Sequence, residues 1–331
     1  MKIALLEVSH WHFPLYIKDL LELGVDVVGL SDKEEEIRLK YSKLFKCPAY
    51  ESWDFLLKES LFDAAFAFGV HREMPRIGEA LIAKGIPFSI EKPAGTRAID
   101  VEKMAQLAGE RNVQVSVPLV QRYGPLNSLL ESLSREEGAQ FVTSSWRFNA
   151  GPPSRYTKIL CDWMLDPGSA GGGCLINLAP HFIDLALRYM PNQPDIVFAQ
   201  VDNSQHNELV EDTATLMMSS KKGGQATIQT GYNFPESSLK REYSFSLSSK
   251  GHYVQSRPDG VAIVRPNKPV EVIKMQLDSD PLYGRYVRKF VKDRRLKRPI
   301  ETGLADLERA MRVIEAGYHS AKIGQAINIS L

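Results

Sequence analysis

Residues 86–93 read Ile-Pro-Phe-Ser-Ile-Glu-Lys-Pro, an apolar run followed at once by two charged residues and a proline. A short apolar run of this kind predicts a buried strand. Gly85 precedes the run and follows the helical pattern of Met74–Lys84, which is the place of a glycine just past a helix end. The order helix, glycine, strand is typical of a parallel α/β sheet.

The same alternation extends through residues 1–120 and predicts a Rossmann-type, dinucleotide-binding α/β domain there. We predict strands at Ile3–Leu6, Val25–Leu30, Ala64–Phe68, Pro87–Ile90 and Val113–Pro118. We predict helices at Phe13–Leu23, Glu34–Phe45, Met74–Lys84 and Ile99–Arg111, with Gly24 ending the first. Ser52 is placed to cap a short helix through Leu57, because its hydroxyl can accept free backbone N–H bonds.

Residues 121–331 have a different pattern, which predicts an α+β domain with a large, mostly antiparallel sheet. Runs of period two occur at Ile196–Val201, Thr213–Ser219, Gln225–Tyr232, Tyr243–Leu247 and Val261–Val264. Helices are expected at Pro125–Leu133, Asn177–Tyr189, Tyr283–Lys292 and Leu304–Lys322, before a short last strand. We assign substrate binding and oligomerisation to this domain.

Composition excludes several classes of function. The 331 residues favour two domains, and 41 basic residues balance 40 acidic ones, so neither nucleic acid nor a membrane is expected as a partner. The first residues, Met1–Leu6, are interrupted too early by Glu7 to form a signal peptide core, and we interpret them as a strand. Three cysteines without metal-ligand spacing, Cys47, Cys161 and Cys174, predict reduced thiols and a cytoplasmic location.

The first β–α turn, residues 6–14, reads Leu-Glu-Val-Ser-His-Trp-His-Phe-Pro and contains no glycine. A glycine-rich turn normally lets the backbone approach a pyrophosphate, and Glu7 adds a negative charge here. Ser9, His10 and His12 offer donors in place of lost backbone contacts, and we predict that they contact the cofactor. His10 and His12 could also form a metal pair, but no third ligand lies nearby in the sequence, so loop histidines without a special role are favoured over a metal site.

Asp32 ends the second predicted strand, where an acid can hydrogen-bond the ribose hydroxyls of a dinucleotide. Such an acid would repel a 2′-phosphate, so NAD is favoured over NADP, although Lys33 weakens that preference. Capping of the helix that starts near Glu34 is a second role, compatible with the first.

A second motif, Gly171-Gly172-Gly173, is followed by Asn177, His181 and Asp184. The three polar residues are spaced i, i+4 and i+7, which places them on one helix face. Pro180 lies among them and predicts a kink, or a helix that begins only near Leu178. An imidazole exchanges protons near neutral pH, so His181 is a candidate acid–base. A structural histidine on a buried helix is the alternative.

Lys92 follows a predicted parallel strand, at the sheet edge where ligands bind. With this context the chain resembles the glucose–fructose oxidoreductase / inositol dehydrogenase (Gfo/Idh/MocA) family. The resemblance rests on His71, Ala80-Leu81, Gly85, Glu91-Lys92-Pro93 and the glycine triplet with Asn177, His181 and Asp184. Weaker matches are Gln121-Arg122-Tyr123-x-Pro125, Glu211-Asp212-Thr213-Ala214 and Ser320-Ala321-x-x-Gly324.

The resemblance implies an NAD(P)-dependent dehydrogenase or reductase that acts on CH–OH groups of a sugar- or polyol-like substrate. It implies catalytic roles for Lys92, His181 and Asn177, and cofactor contacts for His71, Glu91 and Lys92. Many members have aspartate at the Asn177 position; asparagine still hydrogen-bonds but cannot accept a proton. On this interpretation His181 takes the hydroxyl proton and Lys92 stabilises the developing oxyanion.

Substrate contacts are predicted for Arg122, Tyr123 and Arg147, near predicted strand ends, and for Asp184 as an orienting partner. Ordinary surface positions are the alternative for the first three. The basic run Arg285–Arg298 is interpreted as a solvated amphipathic helix, and a phosphate or partner patch is the alternative. The apolar residues that such a helix would turn inward are Val287, Phe290 and Val291.

We expect a homodimer or homotetramer, because a large apolar sheet face is rarely left exposed to water. Two rival functions remain open. The glycine-free turn favours a non-catalytic ligand sensor on the same fold. The other rival is a family enzyme with different chemistry, such as imine reduction or a lyase reaction with transient oxidation.

Overall fold

The computed structural model describes residues 1–237 and 239–331. The chain folds into two compact units: unit 1 comprises Met1–Pro118, Tyr156–Gly171 and Asp280–Glu308, and unit 2 comprises Leu119–Arg155, Gly172–Ser279 and Arg309–Leu331. The contiguous division that we predicted at residue 120 does not match these units, because two later segments return to unit 1. Packing explains one return, since Phe290 lies 4.9 Å from Phe66, ring centre to ring centre.

The part of the chain before Pro118 alternates strands with helices, as predicted. Its strands are β1 (Lys2–Leu6), β2 (Asp26–Ser31), β3 (Ala49–Tyr50), β4 (Ala64–Ala67), β5 (Phe88–Ile90) and β6 (Val115–Ser116). Its helices are α1 (Pro14–Glu22), α2 (Glu35–Phe45), α3 (Trp53–Glu59), α4 (Met74–Ala83) and α5 (Ala98–Glu110). The described strands of unit 1 form a parallel sheet in the order β3-β2-β1-β4-β5-β6, which confirms the Rossmann-like prediction.

The helix ends of unit 1 test the local predictions. Gly24 and Gly85 follow α1 and α4 with φ of 56° and 70°, the left-handed conformation expected of glycines past a helix end. Ser52 does precede α3, but its hydroxyl donates to Asp54 Oδ1 at 2.6 Å and makes no capping bond. The predicted capping role of Ser52 is therefore wrong, because its hydroxyl is oriented towards a nearby carboxylate instead.

The rest of the chain supplies the remaining elements. The strands are β7 (Thr143–Asn149), β8 (Ile196–Asp202), β9 (Thr213–Ser219), β10 (Gln225–Gly231), β11 (Glu242–Ser248), β12 (Tyr253–Arg257), β13 (Gly260–Val264), β14 (Glu271–Lys274) and β15 (Ile327–Asn328). The helices are α6 (Pro125–Glu136), α7 (Ser154–Thr157), α8 (Pro167–Ala170), α9 (Cys174–Leu178), α10 (Pro180–Tyr189), α11 (Asp280–Arg295) and α12 (Leu304–Ile323).

Unit 2 is built on one large sheet, whose described strands have the order β14-β13-β12-β11-β7-β10-β9-β8-β15. Among the pairings of the described residues, only that between β7 and β10 is parallel, which confirms a mostly antiparallel sheet. On one face Trp146 stacks on Phe182 of α10, with ring centres 5.1 Å apart. This face carries the core of unit 2.

The opposite face of this sheet is polar at its centre. Its side chains are those of Thr143, Ser145, Arg147, Thr215, Met217, Thr227 and Gln229. The centre of this face is therefore more polar than we assumed when predicting an oligomer, although Met217 and, towards one edge of the sheet, Tyr253, Val264 and Val272 are exposed apolar side chains on it. The oligomeric state itself stays a prediction.

Two further sequence-based features can be located. Val287, Phe290 and Val291 of α11 are buried, which confirms the inward face of that amphipathic helix. The three cysteines are buried free thiols. In the described residues no single helix has the length and hydropathy of a membrane span, although α8 and α9 followed by α10 meet both criteria as a bent pair.

Candidate active site

The carboxyl edge of the parallel sheet gathers the predicted cofactor residues of unit 1. The glycine-free turn follows β1, Asp32 follows β2, His71 follows β4, and Glu91 and Lys92 follow β5. The ring centres of His10 and His71 lie 6.2 Å apart, and Lys92 Nζ lies 5.5 Å from the centre of the Trp11 ring. The structure therefore brings these side chains together, as the sequence predicts for residues at parallel strand ends.

Glu91 is the centre of a buried hydrogen-bond network next to Lys92. Its Oε1 accepts the Tyr16 hydroxyl at 2.5 Å, and its Oε2 accepts the Lys92 backbone N–H at 3.1 Å and lies 2.9 Å from His12 Nδ1. Burial raises the pKa of Glu91, while the Lys92 charge and the Tyr16 hydroxyl oppose that rise. Lys92 itself is 1% exposed, and the Lys92–Pro93 peptide is cis.

The three histidines of this edge are also buried. His10 Nδ1 accepts the His12 backbone N–H at 3.1 Å, so its Nε2 carries the proton of the neutral ring. Burial lowers the pKa of His10 well below its usual range and that of His71 to about 3, so both rings are neutral near pH 7. Among the described residues no group of three His, Cys, Asp or Glu side chains is arranged to hold a metal.

Several polar atoms of this edge have no hydrogen-bond partner within the described chain. They are His10 Nε2, Trp11 Nε1 and His71 Nε2, all buried. His71 Nδ1 lies 2.8 Å from the Ala170 carbonyl oxygen and must donate to it, which leaves Nε2 as an acceptor. Two donors and one acceptor in one cluster suit a polar ligand, because leaving them buried and unpaired is unfavourable.

The backbone of the turn offers few amides to a pyrophosphate. Most of them donate to other groups of unit 1, namely those of Glu7, Val8, Ser9, His12 and Phe13. The His10 amide takes part in no hydrogen bond among the described residues, and the Trp11 amide faces the Cys161 sulfur, a weak acceptor. Donors from the backbone and side chains of His10 and Trp11 together fit the phosphates of a dinucleotide without a glycine in the turn.

Asp32 is completely buried and satisfied by its own chain. Its Oδ2 accepts the Ser9 N–H at 2.5 Å and its Oδ1 accepts the Glu34 N–H at 2.9 Å. The bond from the Glu34 N–H lies just before α2. It is similar to the helix-capping role that was one of our two interpretations of Asp32. Burial raises the pKa of Asp32. Its contact with a ribose stays a prediction.

Glu7 occupies the first position of the turn with φ of 56°, in the left-handed region that favours glycine. The Ser31 hydroxyl donates to its Oε1 at 3.0 Å. Burial, reinforced by the Asp32 charge, raises the pKa of Glu7 to about 7. A carboxyl group that is partly protonated near neutral pH is less repulsive to phosphate than the full charge that the sequence indicated.

In unit 2, the glycine triplet is explained by a buried glutamate that the sequence analysis did not identify as functional. Glu211 Oε2 accepts the Gly173 N–H at 2.8 Å, and its Oε1 accepts the Leu175 N–H at 2.9 Å and the Tyr318 hydroxyl at 2.7 Å. A Cβ on Gly172 would lie 2.1 Å from the Tyr318 hydroxyl. A Cβ on Gly173 would lie 2.1 Å from the backbone oxygen of Glu211, so no side chain fits.

Asn177, His181 and Asp184 are all buried, on two helices that meet at Pro180. Pro180 is the first residue of α10, so the predicted interruption is confirmed. Asn177 Nδ2 donates to the Tyr232 hydroxyl at 3.0 Å. Tyr232 was missed because it lies on the segment after β10, 55 residues further along the chain.

Two predicted substrate residues bind each other. Arg122 donates through Nε and Nη2 to the two carboxylate oxygens of Asp184, both at 2.6 Å, and both side chains are buried. Both carboxylate oxygens of Asp184 are thereby paired with Arg122, and the substrate contacts predicted for these two residues stay a prediction. Tyr123, beside Arg122, is partly exposed.

Arg147 is the predicted substrate residue that the structure does not place with the others. Its neighbours Trp146 and Phe148 face α10, so Arg147 points to the polar face of the sheet and donates to Gln229 Oε1 at 2.8 Å. Arg147 does lie near the end of β7, but its side chain alternates to the outer face of the sheet, and its contact with a substrate stays a prediction.

Two family models match the chain. One, described as an oxidoreductase family with an NAD-binding Rossmann fold, matches residues 10–119. The other, described as the GFO/IDH/MocA C-terminal domain, matches residues 140–249. No protein of curated function matches the chain in sequence.

Solved structures share the fold at low identity. Levoglucosan dehydrogenase with NADH and levoglucosan has a TM-score of 0.86 at 14% identity, covering 100% of both chains. An oxidoreductase from Agrobacterium radiobacter with NAD+, L-tartaric acid and magnesium has a TM-score of 0.85 at 15% identity, covering 99% of this chain and 98% of that one. myo-Inositol 2-dehydrogenase from Lactobacillus plantarum has a TM-score of 0.82 at 16% identity, covering 100% and 99%.

Proposed function

Because the chain belongs to the Gfo/Idh/MocA family of NAD-binding oxidoreductases, we propose that it interconverts a secondary alcohol and a ketone on a sugar- or polyol-like substrate. The observation that carries the proposal is Lys92, a lysine buried at the carboxyl edge of a parallel sheet. Structural neighbours named for levoglucosan and myo-inositol support the substrate class.

The proposed roles follow from side-chain chemistry. Bound NAD would accept the hydride of the alcohol, or NADH would donate it to the ketone. The Lys92 ammonium stabilises the oxyanion that develops as the hydroxyl loses its proton. His181 accepts that proton, and Asn177, held by Tyr232, orients the reacting group without exchanging a proton. Arg122 and Asp184 act by holding α10, which carries His181.

For cofactor binding, we propose that His10 and Trp11 donate to the pyrophosphate with help from Ser9 and His12. His71 Nε2 would accept from the nicotinamide amide, near Glu91 and Lys92. A buried acid at position 32 would repel a 2′-phosphate, which supports NAD rather than NADP.

A substrate panel followed at the NADH absorbance band tests the activity. Lys92→Ala and His181→Ala should each lower kcat by about 10²–10⁴-fold, the range expected for the loss of an acid–base or charge-stabilising group. NADH binding, measured by fluorescence titration, should persist in His181→Ala. Lys84→Ala, at the end of α4, is the matched control and should retain parental kcat. Full activity in both variants would overturn the assigned roles.

A non-catalytic ligand sensor is the second candidate, favoured by the engaged amides of the glycine-free turn. Failure of millimolar NADH to change the fluorescence of the protein would favour it. We further propose that the protein is cytoplasmic and forms a homodimer or homotetramer. Light scattering tests the assembly, and a monomeric mass would exclude it.

A further inference from the structure

A basic cavity of about 450 Å³ lies at the amino-terminal edge of the parallel sheet in unit 1. Asp63, Pro87 and Gln114 line it, and they stand directly before β4, β5 and β6. The cavity is therefore at the opposite edge from Glu91 and Lys92, which follow β5. Its remaining wall comes from Met1 and from Arg294, Arg295 and Lys297, at and just beyond the end of α11.

These three cations form no ion pair within residues 1–237 and 239–331. Arg294 Nη2 donates to the Arg298 carbonyl oxygen, and Arg295 Nη2 donates to the Leu23 carbonyl oxygen. Earlier in α11 the arrangement differs. There Arg288 pairs with Asp19 and Lys289 with Asp293, at 2.6 and 2.5 Å.

Two polar atoms of the cavity residues are buried without a partner in the described chain. They are Arg294 Nε, a donor, and Gln114 Oε1, an acceptor. A guanidinium N–H removed from water and left unpaired is unfavourable, and a phosphate oxygen is the acceptor whose geometry suits arginine. A hydroxyl on the same ligand would satisfy Gln114.

We propose that this cavity binds a phosphorylated small molecule, with its phosphate against Arg294, Arg295 and Lys297 and a hydroxyl on Gln114. The volume is in the range of small-molecule sites and exceeds what a bare phosphate fills. Asp63 is the carboxylate among the lining residues, and its Oδ2 already accepts the Lys2 N–H at 2.7 Å. The site stands apart from the proposed oxidoreductase activity, at the other edge of the sheet.

Calorimetric titration of the full chain with inorganic phosphate and with glucose 6-phosphate tests the proposal. NADH is present at saturation, so that the probes do not compete at the carboxyl edge. Glucose 6-phosphate should bind more tightly than inorganic phosphate. Replacing Arg294, Arg295 and Lys297 together by Gln should weaken its binding by more than about tenfold, as expected for the loss of charge-assisted bonds.

Two further variants decide the outcome even if the triple variant fails to fold. Asp63→Asn should tighten glucose 6-phosphate binding, because it removes a negative charge from the cavity and keeps an acceptor for Lys2. A variant with Arg285→Gln and Lys292→Gln, at exposed positions of α11 outside the cavity, should bind like the parent. Absence of binding to the parent, or equal affinity for all variants, would overturn the site, whatever the result of the activity assays.

Discussion

Two buried glutamates, one in each unit, hold the residues proposed for catalysis, and they do so with different partners. Glu91 in unit 1 accepts a tyrosine hydroxyl and the Lys92 N–H and lies against the His12 ring. Glu211 in unit 2 also accepts a tyrosine hydroxyl, but its other partners are the Gly173 and Leu175 amides. Burial raises the pKa of both glutamates.

The difference lies in the charge of the partners. Glu91 is next to a lysine and an imidazole, so its ionisation is coupled to groups that can change charge. The hydrogen-bond donors to Glu211 are all neutral, and its charge acts on Cys174 and Tyr318, whose pKa values burial raises well above the usual range, so Glu211 fixes the backbone where α9 begins. We infer that Glu91 controls the charge of the groups around it, whereas Glu211 controls the backbone conformation at the start of α9.

The largest expected effect concerns stability in unit 2. Glu211→Ala leaves two backbone amides and the Tyr318 hydroxyl without their acceptor, at about 1–3 kcal/mol for each buried group. We expect a loss of about 4 kcal/mol in the free energy of unfolding, seen by calorimetry as a lower midpoint for unit 2. Glu315→Ala, at an exposed position of α12, is the control and should change stability by less than about 0.5 kcal/mol. An equal midpoint for the two variants would remove the structural role of Glu211.

A third glutamate, the half-buried Glu7, accepts fewer hydrogen bonds than Glu91 and Glu211. Its pKa is about 7 in the folded chain against 4.5 for the free group, so the folded state retains a proton that the unfolded state has lost between these values. Stability should therefore fall as pH rises from about 4.5 to about 7, by up to about 3 kcal/mol at 1.36 kcal/mol per unit.

Glu7→Gln removes that titration and keeps an acceptor for Ser31. The variant should gain stability relative to the parent as pH rises, with the full difference reached above pH 7. Unfolding midpoints compared at pH 5 and pH 8 measure this change. A difference between variant and parent that is the same at both pH values would exclude a raised pKa for Glu7.

These sites show which parts of the molecule could be predicted from the sequence. Lys92 was placed correctly at the carboxyl edge of the sheet because parallel strands deliver their following residues to one edge, and strand patterns are local. The break at Pro180 was also predictable, because the effect of a proline on a helix depends only on the neighbouring residues. Tyr318 could not be assigned to Glu211, because the two lie 107 residues apart and no local pattern links them. The outward direction of the Arg147 side chain could not be assigned, because its strand, β7, was not predicted.

A smaller effect is expected on catalysis from Glu91→Gln. The charge of Glu91 favours the Lys92 ammonium through Coulombic attraction. Its removal should lower kcat about tenfold, equivalent to about 1.4 kcal/mol, and move the alkaline limb of the pH profile to lower pH. Glu211→Gln should leave the limb in place, since the groups that donate to that carboxylate carry no charge. Identical profiles for the two variants would contradict the comparison.

The smallest expected effect comes from removing the tyrosine hydroxyl that donates to each glutamate, Tyr16 for Glu91 and Tyr318 for Glu211. Tyr16→Phe and Tyr318→Phe each delete one hydroxyl donor to a buried carboxylate, at about 1 kcal/mol of stability, and Tyr318→Phe also removes the acceptor of the Ile176 N–H. Both variants should lower stability, so the pH dependence of kcat is the measurement that separates the two glutamates. Tyr16→Phe makes ionisation of Glu91 less favourable and should move the profile, whereas Tyr318→Phe should lower only the midpoint of unfolding. If Tyr318→Phe moved the profile and Tyr16→Phe did not, the glutamate that sets charge would be the one in unit 2.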